Sequence, residues 1–277
     1  MQTILPQNYL KLQMNRSQQV IWITGASSGI GEALVYAYDQ LEAKLIISSR
    51  NKDKLYEIKS NCKNGALNIH VLPLDLEDTD TLSEKATEAL RIFGRIDVII
   101  HSGGISQRSL AMETKLEVAQ RLMKVNFWGT IALSHAIIPA MIQQGGGHIV
   151  AVSSLVGKFG TRFRSGYSAS KHALHGYFDS LRAELAEQNI KITIVCPGFI
   201  RTNVSINALI GDGSQQNSMD DAQAKGMLAE QCAKKMIKAI DRGKEEVYIG
   251  GKEVYGVLLK RFFPKLFSKL MRKAKVT

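Results

Sequence analysis

Ser154, Tyr167 and Lys171 put a hydroxyl, a phenol and an ammonium at offsets of 13 and 4 within the stretch SLVGKFGTRFRSGYSASK. Four positions apart on a helix, Tyr167 and Lys171 stand on one face, one turn from each other. Ser154 follows the run His148-Ile149-Val150-Ala151-Val152-Ser153, which reads as a buried strand, so Ser154 falls near that strand's C-terminal end. A hydroxyl facing a Tyr/Lys pair suits proton transfer to or from a substrate oxygen.

The elements that would hold these groups alternate between strand and helix patterns, which argues for a parallel sheet with helices on both faces. Strands are expected over residues 20–24, 44–49, 68–73, 96–101, 148–153, 191–196 and 246–249. Helices are expected from the glycine-rich turn to about residue 41, and over 51–62, 78–93, 115–125, 128–143, 166–188 and 221–241. The polar stretch 203–225 is too long for a simple connector and reads as a lid. One domain over 20–250 is expected, preceded by a flexible arm (1–19) and followed by a basic amphipathic extension (251–277).

The first βα turn, Thr24-Gly25-Ala26-Ser27-Ser28-Gly29-Ile30-Gly31, has a second chemical meaning. Gly25 allows a tight turn, Gly29 lets backbone N–H groups approach a pyrophosphate, and Gly31 permits close helix–strand packing. The helix N-terminus behind them favours phosphate charge. The spacing G-x-x-x-G-x-G differs from the generic G-x-G-x-x-G, but its place between first strand and first helix points to dinucleotide binding.

Composition narrows the classes. Hydrophobic content of 45% and charged content of 22% suit a globular protein with a sizeable core. No apolar run is read as reaching the roughly 18 residues that span a bilayer, and the first 19 residues lack the apolar region of a signal peptide. Cys62, Cys196 and Cys232 offer neither metal spacing nor a disulfide framework, which fits a reducing, cytoplasmic location. His101, His148, His172 and His175 share no spacing to a partner, so no metal is expected. Of the net charge of +11, residues 252–277 supply eight Lys/Arg against one acid. With the basic character in a tail and no recognition motif, nucleic acid is not an expected partner.

With the glycine turn, Asp75-Leu76, Val125-Asn126, S-x12-Y-x3-K and Pro197-Gly198-Phe199-Ile200-Arg201-Thr202 all in order, the chain resembles the short-chain dehydrogenase/reductase family over about residues 20–250. The resemblance implies a Rossmann-type, doubly wound, three-layer α/β/α fold of about seven strands. It implies an oxidoreductase that interconverts a small-molecule carbonyl and alcohol, assembled as a homodimer or homotetramer. Tyr167 would be the acid/base. Free Tyr titrates near pH 10, so acting near neutrality takes about 4 kcal/mol, which a cation about 4 Å away at an effective dielectric near 20 supplies. Lys171 would be that cation and would also hold the nicotinamide ribose. Ser154, selected over the more buried Ser153 by its offset, would orient the substrate oxygen, and Asn126 would hold a water linking Lys171 to solvent. Asp75 and Leu76 would contact adenine; Pro197, Gly198, Ile200 and Thr202 would lie at the nicotinamide.

The chain departs from the family pattern at His101-Ser102-Gly103-Gly104, where Asn-Asn-Ala-Gly is usual, and a locally looser turn is expected there. At the end of the second strand, where NAD-selective folds place an acid, it has Ser49 and Arg50. No carboxylate repels a 2′-phosphate and an Arg can pair with it, so NADP(H) is expected over NAD(H).

In the tail, Leu259, Phe263, Leu266, Phe267 and Leu270 share one helical stripe, with Lys260, Lys265, Lys269 and Arg272 largely off it. Pro264 would start or kink a helix. This face would cover the core or a subunit, or lie peripherally on an anionic membrane. Phe163-Arg164-Ser165, residues 203–208 and 211–214, and the basic aromatic C-terminus resemble the seven-B branch of the family. That branch is associated with an N-terminal membrane anchor, which residues 1–19 do not resemble, and with reduction of acyl- or alkyl-dihydroxyacetone phosphate. The expected substrate is thus a lipid-like or other apolar carbonyl. The rivals are a 3-oxoacyl-carrier-protein reductase, a hydroxysteroid dehydrogenase and, from another class, a non-catalytic NADP(H)-binding scaffold or sensor.

Overall fold

A computed structural model of the protein describes residues 18–274; the expected arm, apart from Gln18 and Gln19, and the last three residues of the extension lie outside them. The chain opens with β1 (Val20–Thr24), α1 (Gly29–Asp39), β2 (Lys44–Ser48), α2 (Lys52–Asn61), a short α3 (Gly65–Asn68), β3 (Ile69–Val71), α4 (Leu82–Phe93) and β4 (Val98–His101). It continues through α5 (Leu116–Met123), α6 (Gly129–Gln143), β5 (Gly147–Val152), α7 (Ser165–Glu184), β6 (Ile190–Pro197) and β7 (Ile200–Arg201). The last elements are α8 (Asp221–Ala224), β8 (Met227–Leu228), α9 (Ala229–Asp241), β9 (Glu246–Ile249), α10 (Tyr255–Phe262) and α11 (Pro264–Lys273).

Seven strands form one sheet in the order β3-β2-β1-β4-β5-β6-β9, and every pairing in it is parallel. This is the Rossmann-type arrangement expected from the alternating pattern. The runs VIWIT, KLIIS and VIIH are buried on both faces, which is why they read as continuous rather than alternating. Along β1, Val20 and Trp22 pack into one core with α4, α6 and α7, while Ile21 and Ile23 pack into the other with α1, α2 and α9. The parallel order brings the C-terminal ends of β1, β4, β5 and β6 to one edge. The loops leaving that edge carry the chemistry.

Three elements differ from the sequence reading. The helices expected at 115–125 and 128–143 are joined by a π-turn over Lys124–Trp128, giving one helix from Leu116 to Gln143. By length and composition this 28-residue helix could cross a membrane, contrary to the expectation that no segment approaches that. In the fold its apolar side is core: Val118, Leu122, Leu133, Ile137 and Met141 are buried. The helix expected at 221–241 is split, because the Met227 N–H bonds the Phe199 carbonyl at 2.9 Å and draws that segment into β8. The tail stripe is also divided. Phe263 leaves helical geometry (φ −132, ψ 59) and Pro264 starts α11, which resets the phase. Phe267 turns inward, whereas Phe263, Leu266 and Leu270 stay exposed.

Candidate active site

At the end of β1 the chain must reverse within a few residues before α1 begins. Gly25 does this at φ +67, and a Cβ there would lie 2.5 Å from the Gly103 Cα, so only glycine fits. The turn after β4 is therefore tight rather than loose: Gly103 sits against the first turn, and its N–H points to the Thr24 Oγ1 at 3.4 Å. His101 faces the interior instead, 2.9 Å from the Ser134 hydroxyl, and burial pulls its imidazole down to about 3.

A cavity of about 1390 Å³ runs along this edge of the sheet. Every expected site residue except Asn126 lines it. One end is bounded by the glycine turn, Ser49, Arg50, Asp75 and Leu76; the middle by Ser154, Tyr167 and Lys171; the far end by Leu259, Phe267 and Met271 of α10 and α11. The first end fits a dinucleotide: bare backbone where a Cβ would clash, a helix N-terminus behind it, and Ser49 and Arg50 at the end of β2.

Tyr167 lies in the first turn of α7 and is positioned by a residue the sequence reading missed. The Gln107 side-chain carbonyl accepts the Gly166 and Tyr167 N–H groups at 2.8 and 3.2 Å, capping the helix. Lys171, one turn on, is buried and donates to the Val152 carbonyl at 2.8 Å, with Nζ 5.8 Å from the Tyr167 ring centroid. Burial lowers its pKa to about 8. Ser154 Oγ accepts the Val156 N–H at 3.3 Å, points to the Pro197 carbonyl at 3.4 Å and hydrogen-bonds the Tyr167 phenol.

The charge balance at the phenol differs from the expectation. Burial pushes the Tyr167 pKa above its ordinary value; Arg164, the Ser154 hydrogen bond and Arg108 pull against it, in that order. The Lys171 ammonium, bonded back to β5, lies over the Tyr167 ring. Arg164, named above only within the branch resemblance, and Arg108, which sequence reasoning did not single out, line the cavity with Asp220 buried between them. Asp220 Oδ2 stands 2.6 Å from Arg108 and 3.5 Å from Arg164. The pair fastens the 203–225 loop over the cavity, helped by Leu209, whose backbone exchanges hydrogen bonds with Ser106 and Arg108 at 2.9 and 2.8 Å.

Asn126 stands behind the wall, fully buried. Its amide donates to the Ile105 carbonyl and Ser170 hydroxyl, both at 2.9 Å, and accepts the Ile105 N–H at 2.8 Å. Gly104 separates it from the cavity: a Cβ there would lie 3.0 Å from the Asn126 Oδ1 and 3.5 Å from the Lys171 Nζ. Asn126 thus fixes the 104–105 backbone against the lysine.

Ser153, also at the cavity wall, stands 3.1 Å from His175, whose other ring nitrogen is 3.1 Å from Glu246. With Cys196 these residues cluster closely enough to suggest metal ligation. Lys158 also sits 3.0 Å from Glu246, and burial pushes the Cys196 thiol far up.

The short chain dehydrogenase family matches residues 19–210. The chain belongs to this family of oxidoreductases, the short-chain dehydrogenase/reductases. Within it the similarity runs to the member 7 and 7B branch. The chain is 41% identical over 236 residues to the dehydrogenase/reductase SDR family protein 7-like of Anopheles gambiae, covering 83% of this chain and 74% of that one. It is 37% identical to the SDR family member 7B of Mus musculus, covering 91% and 80%. The fold is shared with a short chain dehydrogenase/reductase of Burkholderia phymatum in complex with NAD, with TM-score 0.80, 19% identity and coverage of 92% and 96%. It is shared equally with a Burkholderia cenocepacia short chain dehydrogenase in complex with NADP, with TM-score 0.77, 22% identity and coverage of 93% and 99%.

Proposed function

We propose that the protein is an NADP(H)-dependent reductase that converts a carbonyl to an alcohol, or the reverse, on a lipid-like substrate, with Tyr167 as the acid/base. The observation that carries this reading is the continuity of one cavity from the glycine turn, past Tyr167, to an apolar end walled by Leu259, Phe267 and Met271.

The glycine turn and the α1 N-terminus would hold the pyrophosphate, Asp75 and Leu76 the adenine, and Pro197, Gly198, Ile200 and Thr202 the nicotinamide. Ser49 and Arg50 would take the 2′-phosphate and Lys171 the ribose. When bound, the dinucleotide supplies the hydride. The chain's part is then proton delivery. Ser154 and Tyr167 converge on the carbonyl oxygen; the phenol gives it a proton as negative charge develops, and the Ser154 hydroxyl holds that oxygen in place. In the reverse direction the phenolate accepts the proton. A phenol kept protonated by burial suits reduction.

Acyl- or alkyl-dihydroxyacetone phosphate, which the branch resemblance suggests, has a ketone, a phosphate and an apolar chain. NADPH oxidation measured across dihydroxyacetone-phosphate lipids, ketosteroids and 3-oxoacyl thioesters tests the reading. Activity on the first that Tyr167→Phe abolishes supports it; a protein silent on all three, wild type and variant alike, would sink it.

A further inference from the structure

The two C-terminal helices have two apolar faces, and only one is used by the fold. Val257 and Phe267 are buried in the core, where Phe267 packs on Phe159 with ring centroids 5.0 Å apart. The other face carries Tyr255, Leu258 and Phe262 along α10 at i, i+3, i+7, Phe263 at the break, and Leu266 and Leu270 one turn apart on α11. These six side chains are between 49% and 68% exposed, an apolar stripe open to solvent. Tyr255, Leu258, Phe262 and Phe263 also line the cavity. They are its rim, so the site opens through this stripe.

We propose that α10 and α11 dock on a bilayer containing anionic lipid, with the mouth of the cavity turned toward it. Charge selects this occupant. Residues 252–273 include seven Lys/Arg and a single acid, Glu253, which is drawn toward the protein by the Phe199 and Gly251 N–H groups at 3.1 and 3.0 Å. Lys260, Arg261, Lys265, Lys269 and Arg272 are all exposed around the stripe. A two-fold pairing with a second copy would set these cations against their own kind, whereas anionic headgroups neutralise them while the aromatic and leucine side chains enter the acyl boundary. The inference stands whichever carbonyl the site takes, since binding needs no turnover.

Flotation of the full chain with vesicles of phosphatidylcholine alone, and with added phosphatidylserine, tests it. The protein should float with the mixed vesicles and far less with the neutral ones. Leu266→Asp/Leu270→Asp, at two stripe positions outside the cavity wall, should abolish flotation. Lys265→Gln/Lys269→Gln should weaken it by about 25-fold, at roughly fivefold per charge lost near the surface. NADPH binding and thermal unfolding serve as folding controls, and the lysine variant gives a second reading if the leucine variant unfolds. Absence of flotation with either vesicle would overturn the proposal. So would equal flotation of wild type and lysine variant, or self-association by sedimentation that only the leucine variant loses while wild type ignores vesicles.

Discussion

Arg108 and Asp220 meet at 2.6 Å inside the protein although 112 positions separate them, with side chains 4% and 2% exposed. Arg108 lies in the segment that follows β4 and Asp220 ends the long loop before α8, so their contact joins the two segments. Asp220→Asn would take the counter-charge from the buried Arg108 guanidinium. The expected cost is about 3–5 kcal/mol, read as a lower urea midpoint, and the loop should become cleavable by protease in the native protein. An unchanged midpoint would mean that the pair does not hold the loop.

Tyr167→Phe removes one oxygen and no packing. Turnover should fall by roughly 10²–10⁴-fold, the usual worth of a positioned acid, while NADPH titration gives an unchanged affinity. Because burial holds the phenol above its ordinary value near 10, the reductive rate should persist into alkaline solution. The oxidative rate, which needs the phenolate, should climb with pH throughout that range. A reductive rate that collapses just above neutrality would contradict this.

Arg50→Ala tests cofactor choice. Losing a charge-assisted contact to a 2′-phosphate is worth about 1.5–3 kcal/mol, so KM for NADPH should rise roughly 10-fold to 150-fold while KM for NADH barely moves. A wild-type protein that already prefers NADH would remove the basis of the argument.

Two imidazoles give the fold an acid limit. Burial lowers His101 to about 3 and His148 to about 4, the latter with Lys191 adding to the effect. As pH falls from the ordinary value near 6.5, the unfolded chain binds protons that the folded one refuses. Stability should therefore fall by about 1.4 kcal/mol per pH unit for each histidine until its folded value is reached. Urea unfolding across that window should show the slope, and His148→Gln should remove one histidine's share. An equal slope in the variant would assign the effect elsewhere.

The fold was legible because a doubly covered parallel strand has to be apolar throughout and a helix beside it has to be two-faced. The seven sheet strands and the glycine turn announce themselves in this way. Lys171 shows the limit of spacing arguments. Four residues after Tyr167 fixes the Cα on the same helix face, but only the fold shows that the four-carbon side chain bonds the Val152 carbonyl while its ammonium lies over the Tyr167 ring. Arg108 and Asp220 carry no local signal, and Arg164 only a branch resemblance without a role, since their meaning exists only once the loops are brought together. Gln107 is similar: its role as the cap of α7 depends on contacts across about 60 positions. The tail misled because one non-helical residue, Phe263, shifts every later side chain to a new bearing.

In the order β3-β2-β1-β4-β5-β6-β9, every parallel pair is joined by a crossover, and β1-β4 and β6-β9 bring together strands that are not consecutive in the chain. Long chain loops must close before such pairs form, and assembly of this kind is slow. No partial fold contains the site, since Gly25 needs Gly103, Tyr167 needs Gln107 and Arg108 needs Asp220. A nucleotide that recognises only the finished edge would therefore clasp the whole molecule, and its concentration would set how often the chain opens to proteases. The lifetime of the protein would then follow the supply of its own coenzyme.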